Sequence, residues 1–575
     1  MAFLSIISEV TAPTGLWCWL ILNVFSFVAN YGWRIVLFTV CLKVLLSPID
    51  IYQRFKARKN QLITLKLKPD MDKLQKMYGN DQKLLAQKQM ELQKKAGISY
   101  FSSCLPAIVT LVIFITLFSR GLQPISQYQN FRQYEQLYDT YVEYCNDSLV
   151  QKRYDEIYYN EIDKATETAN GKSADIRKTE SENLKISLGD AAYNAVIDAK
   201  VEEIYYSEYH KQYDEYAKKR DFYAEEAKKQ LAEEAGRRAY AESMQESLSA
   251  FASYDDYVKI SQTEKRAILE EAERAKTLAI NQFDAEYYKT EIENLTEEKI
   301  VNAANAAVRK IAENASGVLK AANEAKAAAL TSYDEDYYSA ELNQRTADAI
   351  VSAADSIVRA TANNYCKDIA QDKVFHAYEN GVKMSFLWVK NIWNADTFWT
   401  KPINGYDGFI KNVGNYAKPG HGVEQSKLND MLNSAKYTDV MGKLLDDPEY
   451  NSSNGYLVLP ILTVLLSIAM QVLSYRQQKE SGQMNAQSES TSKIMMFVMP
   501  VMMAWFAFSY TAAFAVYLVM SYVVSILISV IGMLVVKLAD KKTDKALVTE
   551  VQKYGRPDFS DRRNDANDNN KDGKK

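Results

Sequence analysis

The sequence predicts an all-α polytopic membrane protein with five transmembrane helices, a cytoplasmic helical hairpin and a long extracytoplasmic helical or coiled-coil insertion. Two observations lead to this prediction. Apolar runs are confined to residues 15–49, 99–119, 456–475 and 494–537, whereas residues 125–380 are rich in Glu, Lys, Ala and Tyr. Apolar runs of this kind match the width of a bilayer, and the polar middle has the composition of a water-soluble helical segment.

The N-terminal region, residues 1–32, is predicted to form an interfacial helix, with a continuous transmembrane helix as the alternative. A secretory signal peptide is excluded because Met1–Val10 contains Glu9 and no Lys or Arg, and no clear small-residue cleavage site follows the apolar run. Residues 33–53 form the first predicted span, with Pro48 and Asp50 marking its end.

Residues 54–98 are strongly basic, which places this segment in the cytoplasm. Their apolar positions recur at helical spacing on both sides of a Gly-Asn-Asp turn at residues 79–81, so we expect a helical hairpin. The remaining predicted spans are residues 99–119, 456–475, 494–511 and 512–537.

Lys and Arg residues next to these spans place the N-terminus outside and the C-terminus in the cytoplasm. Residues 384–455 are then an aromatic interfacial segment followed by a loop with one or two short helices. Residues 476–493 are a cytoplasmic loop, and residues 538–575 are predicted to be a disordered cytoplasmic tail.

Residues 120–383 form the predicted extracytoplasmic insertion and contain an internal repeat. The pattern of Phe283–Asn314 recurs fifty residues later in Tyr333–Asn364, and Tyr-Tyr pairs at 158–159 and 205–206 indicate degenerate copies. Tyrosines and alanines at helical spacing are expected to form the packed core of a bundle. A disulfide between Cys145 and Cys366 stays open, because spacing alone does not show proximity.

Catalytic and ligand-binding motifs are absent from the sequence. There is no GxxxxGK[ST], GxSxG, HExxH or GxGxxG motif, the five cysteines form no CxxC, and the three histidines lie far apart. We therefore predict a protein that is not an enzyme and that has no cofactor and no metal site. A net charge of −4 without a clustered basic face also argues against nucleic acid recognition.

One cation lies within an apolar span. Lys43 follows Trp33 by ten residues and therefore sits ~15 Å along the helix, about halfway through a bilayer core. Such a lysine either faces a hydrated cavity or snorkels towards water past Pro48. Thr39 precedes it by one turn on the same face, and polar residues of two later spans also step by four: Thr463, Ser467 and Gln471, then Ser521, Ser525 and Ser529. For each hydroxyl, the simpler interpretation is hydrogen bonding between helices.

Several segments resemble the YidC-type membrane protein insertases. LFTVCLKVLLSP (37–48) and residues 67–106, from LKPDMDKLQKMYG to SSCLP, are similar to that family's first span, cytoplasmic hairpin and second span. FLWVKNIW (386–393), Pro460–Gln471, KIMMFVMP (493–500) and AVYLVMS (515–521) resemble its remaining segments in order. The resemblance covers both ends of the chain and leaves the insertion outside the family pattern.

The resemblance implies a hydrophilic groove that is open to the cytoplasm and lipid and closed outside, in which a cation meets polar parts of a nascent protein. Lys43 and Thr39 match its positions in the first span, and Tyr517 matches the first aromatic residue of the last span. With Gln471 and Ser521 they form the predicted substrate groove. The chain departs from the family at Lys43, which replaces Arg, and at Thr110, Val112, Leu518 and Tyr522.

The implied function is that of a membrane protein insertase or chaperone of the bacterial plasma membrane that works without nucleotide hydrolysis. Its partners would be nascent membrane proteins and membrane lipids, with the ribosome and a Sec-type translocation channel as further candidates, and an unknown extracellular partner of the insertion. The alternative is a membrane anchor for an extracellular coiled-coil bundle that binds envelope partners. A small-molecule transporter would show inverted repeats or broken spans, and neither is found.

Overall fold

The computed structural model describes residues 10–79, 81–96, 112–480 and 486–553. The chain is 81% helical, and the described residues contain only an isolated bridge between Phe386 and Val389 in place of strands. The predicted all-α fold class is therefore confirmed. The chain divides into two compact units, a core unit of residues 1–138 and 375–575 and an insertion unit of residues 139–374.

The helices follow one another in chain order with short connections. The first group is α1 (Leu16–Trp19), α2 (Tyr31–Tyr78), α3 (Gln82–Lys95) and α4 (Gln123–Val142). The second is α5 (Asp147–Asn170), α6 (Ser173–Ala217), α7 (Arg220–Ser249), α8 (Tyr254–Lys259), α9 (Gln262–Asn281), α10 (Lys289–Glu313), α11 (Val318–Thr331) and α12 (Ser339–Ala377). The third is α13 (Tyr406–Val413), α14 (Gln425–Met431), α15 (Ser434–Asp446), α16 (Val458–Glu480), α17 (Ala486–Ser509) and α18 (Ala512–Lys553).

Helix α2 is longer than the sequence predicts. Pro48 was expected to mark its end but lies inside it, together with Pro69, and α2 continues to Tyr78. A proline at position 48 leaves the carbonyl of Val44 without its usual donor. The hydroxyl of Ser47 donates to that carbonyl at 2.8 Å, so the helix keeps the bond that the proline removes.

The segment predicted as a hairpin contains the second half of α2, a turn and α3, and the two helices pack on each other. The carboxylate of Asp81 accepts the backbone N–H of Leu84 at 3.0 Å and so caps the start of α3. Leu74 and Leu92 are buried.

Three helical segments of the described residues are long and apolar enough to cross a membrane: Tyr31–Tyr52, Val458–Arg476 and Ala512–Val535. Met496–Ser509 is a shorter apolar helix. Helix α18 packs along α2, and α16 packs against both α17 and α18. Most of the predicted span at residues 99–119 lies outside the described residues, which resume at residue 112 in a helix that leads into α4.

Two predicted irregular regions differ from the structure. The tail was predicted from residue 538, but α18 continues to Lys553, as its Ala, Leu, Lys and Glu content allows. Residues 1–9 of the predicted interfacial helix and residues 554–575 of the tail lie outside the described residues. The loop predicted with one or two short helices contains three, α13 to α15.

The insertion unit is built from two antiparallel series of helices, α5 to α7 and α9 to α12. Residue numbers rise along one series as those of their partners fall along the other. Hydrogen bonds mark this order: Tyr154 with Asp355, Asp190 with Lys326 (2.6 Å) and Asp198 with Arg309 (2.6 Å). The repeat has a structural counterpart, because Gly189 lies against Leu330 as Gly236 lies against Ile280.

The connection between α7 and α9 returns to the start of the unit. The hydroxyl of Tyr254 donates to the carbonyl of Tyr144 at 2.5 Å, and that of Tyr257 donates to the carbonyl of Glu143 at 2.6 Å. Both rings are fully buried, and so is Lys265, which donates to two carbonyls of the connection. We call this contact, residues 250–266 against residues 143–156, the closure.

The packed core of the insertion unit differs from the expected one. Its alanines are buried as expected, among them Ala165, Ala169, Ala354 and Ala362. The Tyr-Tyr pairs, however, are only half in the core, because one ring of each pair is exposed. Cys145 and Cys366 are buried free thiols in the structure, so the disulfide that the sequence left open is not formed there.

Candidate substrate groove

One apolar cluster, the aromatic core, joins the first turns of α2 and α18. Ile35 and Phe38 of α2 are buried in it, and the first seven residues of α18, Ala512 to Leu518, are buried without interruption. Aromatic rings link the elements: Trp17 meets Phe38 at a centroid distance of 6.2 Å, and Phe118 meets Phe514 at 4.8 Å. The helices are therefore tightly packed at this end.

Residues 384–399, the capping segment, hold the N-termini of α16 and α18. The fully buried carboxylate of Asp396 accepts the backbone N–H groups of Tyr456 (2.8 Å) and Leu459 (2.7 Å). The carbonyls of Asn394 and Ile392 accept those of Ala512 (2.8 Å) and Ala513 (2.9 Å). Helix N-termini carry unpaired donors and a partial positive charge, so these acceptors stabilise both ends.

The capping segment was predicted to be an amphipathic interfacial segment, and the structure assigns it a different place. Trp393 is 1% exposed and meets Tyr31 at 5.4 Å between ring centroids, although Phe398 and Trp399 do remain exposed. Its approach to the chain before α16 requires a glycine. A Cβ on Gly455 would lie 1.8 Å from the Oδ1 atom of Asp396.

Lys43 lies just beyond the aromatic core. Thr39 is fully buried and is the last buried residue between Tyr31 and Tyr52, and Lys43 follows it by one turn with a half-buried side chain. The neighbouring side chains of Val44 and Leu45 are 57% and 76% exposed. The predicted pair Thr39 and Lys43 therefore spans the boundary between the packed end and the open part of α2.

The second cation of the same helix has very different surroundings. Arg34 is buried, and its guanidinium donates to the carbonyl of Val28 at 2.8 and 2.9 Å and to that of Ser26 at 3.3 Å. It also lies 4.4 Å from the ring centroid of Tyr31. Lys43 forms no hydrogen bond and no ion pair with any residue that the structure describes; the charge of Asp50, two turns further on, is the one that acts on it.

The remaining predicted groove residues lie on the two helices that follow α2 in the packing order. Tyr517 belongs to the aromatic core, is 5% exposed and lies 6.2 Å from Phe514 between ring centroids. Ser521 is half-buried one turn later, within hydrogen-bonding reach of Tyr517. Gln471 is half-buried on α16. Because α18 packs on both α2 and α16, it is the helix that connects all five positions.

Three buried hydroxyls of these helices donate within their own helix. Thr39 donates to the carbonyl of Ile35 at 2.6 Å, Thr463 to Leu459 at 2.8 Å and Ser467 to Val464 at 2.8 Å. The expected hydrogen bonds between helices are replaced here by bonds along the helix. Each hydroxyl oxygen keeps acceptor capacity, so the surface between the helices stays polar.

Sequence reasoning missed Arg34 and Asp396, which the structure shows as buried charged residues with complete sets of partners. Arg34 is satisfied by carbonyls of the preceding turn, and Asp396 by the backbone of a distant helix. An isolated acid in an aromatic segment, as in WNAD (393–396), is the one signal that pointed to Asp396.

Comparisons with known proteins match the first part of the chain. The family model "60Kd inner membrane protein" matches residues 23–141, which include Arg34, Thr39 and Lys43. A membrane protein insertase YidC of Leptospira interrogans (serogroup Icterohaemorrhagiae serovar Lai) is 31% identical over 102 residues, 18% of this chain and 16% of that protein. Those of Aromatoleum aromaticum and Stutzerimonas stutzeri are 30% and 27% identical over 100 and 111 residues.

The matched part is short in every case. It covers 17% of this chain and 18% of the Aromatoleum protein, and 19% of both chains for Stutzerimonas, so the chain spans less than a fifth of the length of these relatives. No solved structure matches. The resemblance to the YidC-type insertases predicted from the sequence is confirmed by these findings.

Proposed function

Given that residues 23–141 match the 60Kd inner membrane protein family, we propose that this chain is a membrane protein insertase or chaperone of the bacterial plasma membrane. It would receive polar flanks of nascent membrane proteins in a hydrated groove beside Lys43, and release their apolar helices into lipid. Thr39, Gln471, Tyr517 and Ser521 would line that groove, and no nucleotide would be hydrolysed.

The contrast between Arg34 and Lys43 carries this proposal. A charge within an apolar span is costly unless it is paired or faces water. Arg34 is fully bonded inside the packed end, whereas Lys43 has no such partner among the described residues. An available cation at the edge of a packed core can meet the acidic or polar flank of a substrate and lower the cost of its passage.

The proposed arrangement in the membrane follows from the basic segments. The aromatic core and the insertion unit would lie on the outer side, with the N-terminus outside and the C-terminus in the cytoplasm. The hairpin of α2 and α3 would meet incoming chains, and the ribosome or a Sec-type channel on that side. The insertion unit would be an accessory that binds an envelope partner.

Complementation of a strain depleted of its own insertase tests the role of Lys43. We expect Lys43→Ala to lower insertion of small two-span substrates roughly tenfold, because the groove loses a charge interaction of the order of 1–2 kcal/mol, and Lys43→Arg to retain most of the activity. Insertion is measured by protease protection of the radiolabelled substrate at equal levels of the variants in the membrane.

A matched control keeps the charge and moves it to another face. In the double variant Lys43→Ala with Val44→Lys, the cation would project from the exposed side of α2, where Val44 is 57% exposed. This variant should insert substrates as poorly as Lys43→Ala. Full activity of Lys43→Ala would refute the proposed role of the groove charge.

A further inference from the structure

The insertion unit exposes four tyrosine rings at corresponding positions of its repeats. Each belongs to a Tyr-Tyr pair, and the exposed fractions are 85% for Tyr159, 87% for Tyr206, 76% for Tyr287 and 78% for Tyr337. Large aromatic side chains contribute most when they are buried, so four such rings in solvent at repeated positions form a surface that a partner could cover.

Each exposed ring is held by its packed neighbour. The two rings of a pair meet edge to face, at centroid distances of 5.5, 6.0, 4.9 and 4.8 Å for the pairs at 158–159, 205–206, 287–288 and 337–338. In the last two pairs the inner ring is itself stacked, on Phe283 and on Tyr333. Such contacts limit the freedom of the exposed ring and lower the entropic cost of binding.

The surroundings of the four pairs are acidic. Residues 155–163 and 334–341 contain four carboxylates each and no Lys or Arg, and residues 202–210 contain three carboxylates and no Lys or Arg. Residues 284–291 contain three carboxylates and one lysine. A surface of this charge attracts cations and repels anions.

One exposed carboxylate near each exposed ring has no cationic partner within the described residues. Asp163 and Glu291 follow their tyrosines by four residues, Glu202 precedes Tyr206 by four, and Asp336 directly precedes Tyr337. In a helix, residues four apart lie on the same face, so a cation that covers the ring can reach the carboxylate.

The same unit already contains the complete form of this arrangement. The guanidinium of Arg153 lies 3.9 Å from the ring centroid of Tyr365, whose hydroxyl donates to Asp255 at 2.8 Å, and Asp255 pairs with Arg153 at 3.8 Å. Arg359 lies 4.5 Å from the ring centroid of Tyr154, which is bonded to Asp355. Tyrosine, carboxylate and cation thus form stable triads in this fold.

We propose that the four exposed Tyr-Tyr motifs dock a Lys/Arg-rich polypeptide segment of another protein, each motif being a triad that lacks its cation. The guanidinium or ammonium group lies over the exposed ring and pairs with the adjacent carboxylate. Repeated motifs on one unit favour a long segment with spaced basic residues, because several weak contacts add up when they are linked. This binding is independent of the insertase role proposed above.

Titration of the full-length protein in nanodiscs with a fluorescent peptide of arginines spaced by Gly and Ser tests this inference. Replacing all four exposed tyrosines by serine should weaken binding at least about tenfold, and replacing them by phenylalanine should weaken it by less than about threefold, because phenylalanine keeps the ring face. The quadruple change Asp163→Asn, Glu202→Gln, Glu291→Gln and Asp336→Asn should also weaken binding at least about tenfold.

The control variant carries the same loss of charge at exposed carboxylates away from the four rings: Glu226→Gln, Glu242→Gln, Glu246→Gln and Asp368→Asn. It should bind within about twofold of the unchanged protein if the motifs are specific. Equal weakening in the control and the motif variants would overturn the inference in favour of general acidic attraction. Binding of a neutral glycan that depends on the tyrosines, with no binding of the arginine peptide, would overturn it too.

Discussion

At the scale of single residues, the surroundings of a charge separate a structural role from a functional one. Arg34 and Lys43 lie nine residues apart on α2, and only Arg34 has its donors satisfied by described carbonyls. The sequence alone singled out Lys43, because a lysine in the middle of an apolar run violates the usual pattern. It could not identify the role of Arg34, because the carbonyls of a preceding turn have no sequence pattern.

Glu143 makes a prediction about pH at the closure of the insertion unit. Burial raises the pKa of its carboxyl from 4.5 to about 7, even though Arg266 pairs with it at 3.3 Å. The folded state therefore holds a proton that the unfolded chain releases above about pH 4.5. Stability from this group is complete below that pH and is lost as pH rises towards 7, by up to about 3 kcal/mol.

Hydrogen exchange of residues 254–266, corrected for the intrinsic rate, measures this loss. Exchange should accelerate between pH 5 and pH 7.5 in the unchanged protein, and Glu143→Gln should remove that pH dependence. Glu246→Gln, an exposed site, should leave it intact. A pH dependence that survives in Glu143→Gln would assign it to another group, with Lys265 titrating only higher, since burial lowers its pKa to about 8.

At the scale of elements, the capping segment shows how a short irregular stretch organises long helices. Its aromatic content correctly drew attention in the sequence, but the interpretation as an interfacial helix missed the part played by Asn391, Asn394 and Asp396. These side chains bind backbone groups that are distant in sequence: Asn454, Pro402 and Leu459. Local periodicity does not report contacts of this kind.

Asp396 gives the element-scale prediction. Its carboxylate accepts two backbone N–H groups at the start of α16 and lies 3.3 Å from the indole nitrogen of Trp388. Asp396→Ala should cost about 3 kcal/mol locally, because charged hydrogen bonds of this kind contribute about 1.5–3 kcal/mol each. Amide protection in the first turn of α16 should then fall about a hundredfold in hydrogen exchange.

The exposed Lys418 supplies the control for this measurement. Lys418→Ala should change protection of α16 by less than about threefold, as expected of a surface substitution. Asp396→Asn should fall between the two, because it keeps one oxygen acceptor without the charge. Unchanged protection in Asp396→Ala would show that other contacts hold this helix end.

At the scale of the whole molecule, the sequence predicted the all-α class and the repeat of the insertion unit. It did not predict the closure, since Tyr144 and Tyr254 are separated by more than a hundred residues and nothing local connects them. It also placed the Tyr-Tyr pairs wholly in the core. Helical periodicity shows which residues share a face, but the partner helix decides how much of that face is covered.

The long helices were also only partly predictable. A proline normally ends a helix, and α2 continues because a serine hydroxyl replaces the missing backbone donor. The groove residues came from a resemblance, which places them in the structure on α2, α16 and α18 but does not demonstrate that a substrate binds between them. Their role is therefore a matter for functional measurement.

Charge reversal between groove and substrate tests the central claim most directly. A two-span substrate with an acidic flank should insert with the unchanged protein and lose most of its insertion with Lys43→Glu, since like charges repel in a poorly hydrated site. Changing the flank from Asp to Lys should restore insertion with Lys43→Glu and lower it with the unchanged protein. Equal insertion of both substrates by both proteins would contradict a direct encounter between Lys43 and the substrate flank.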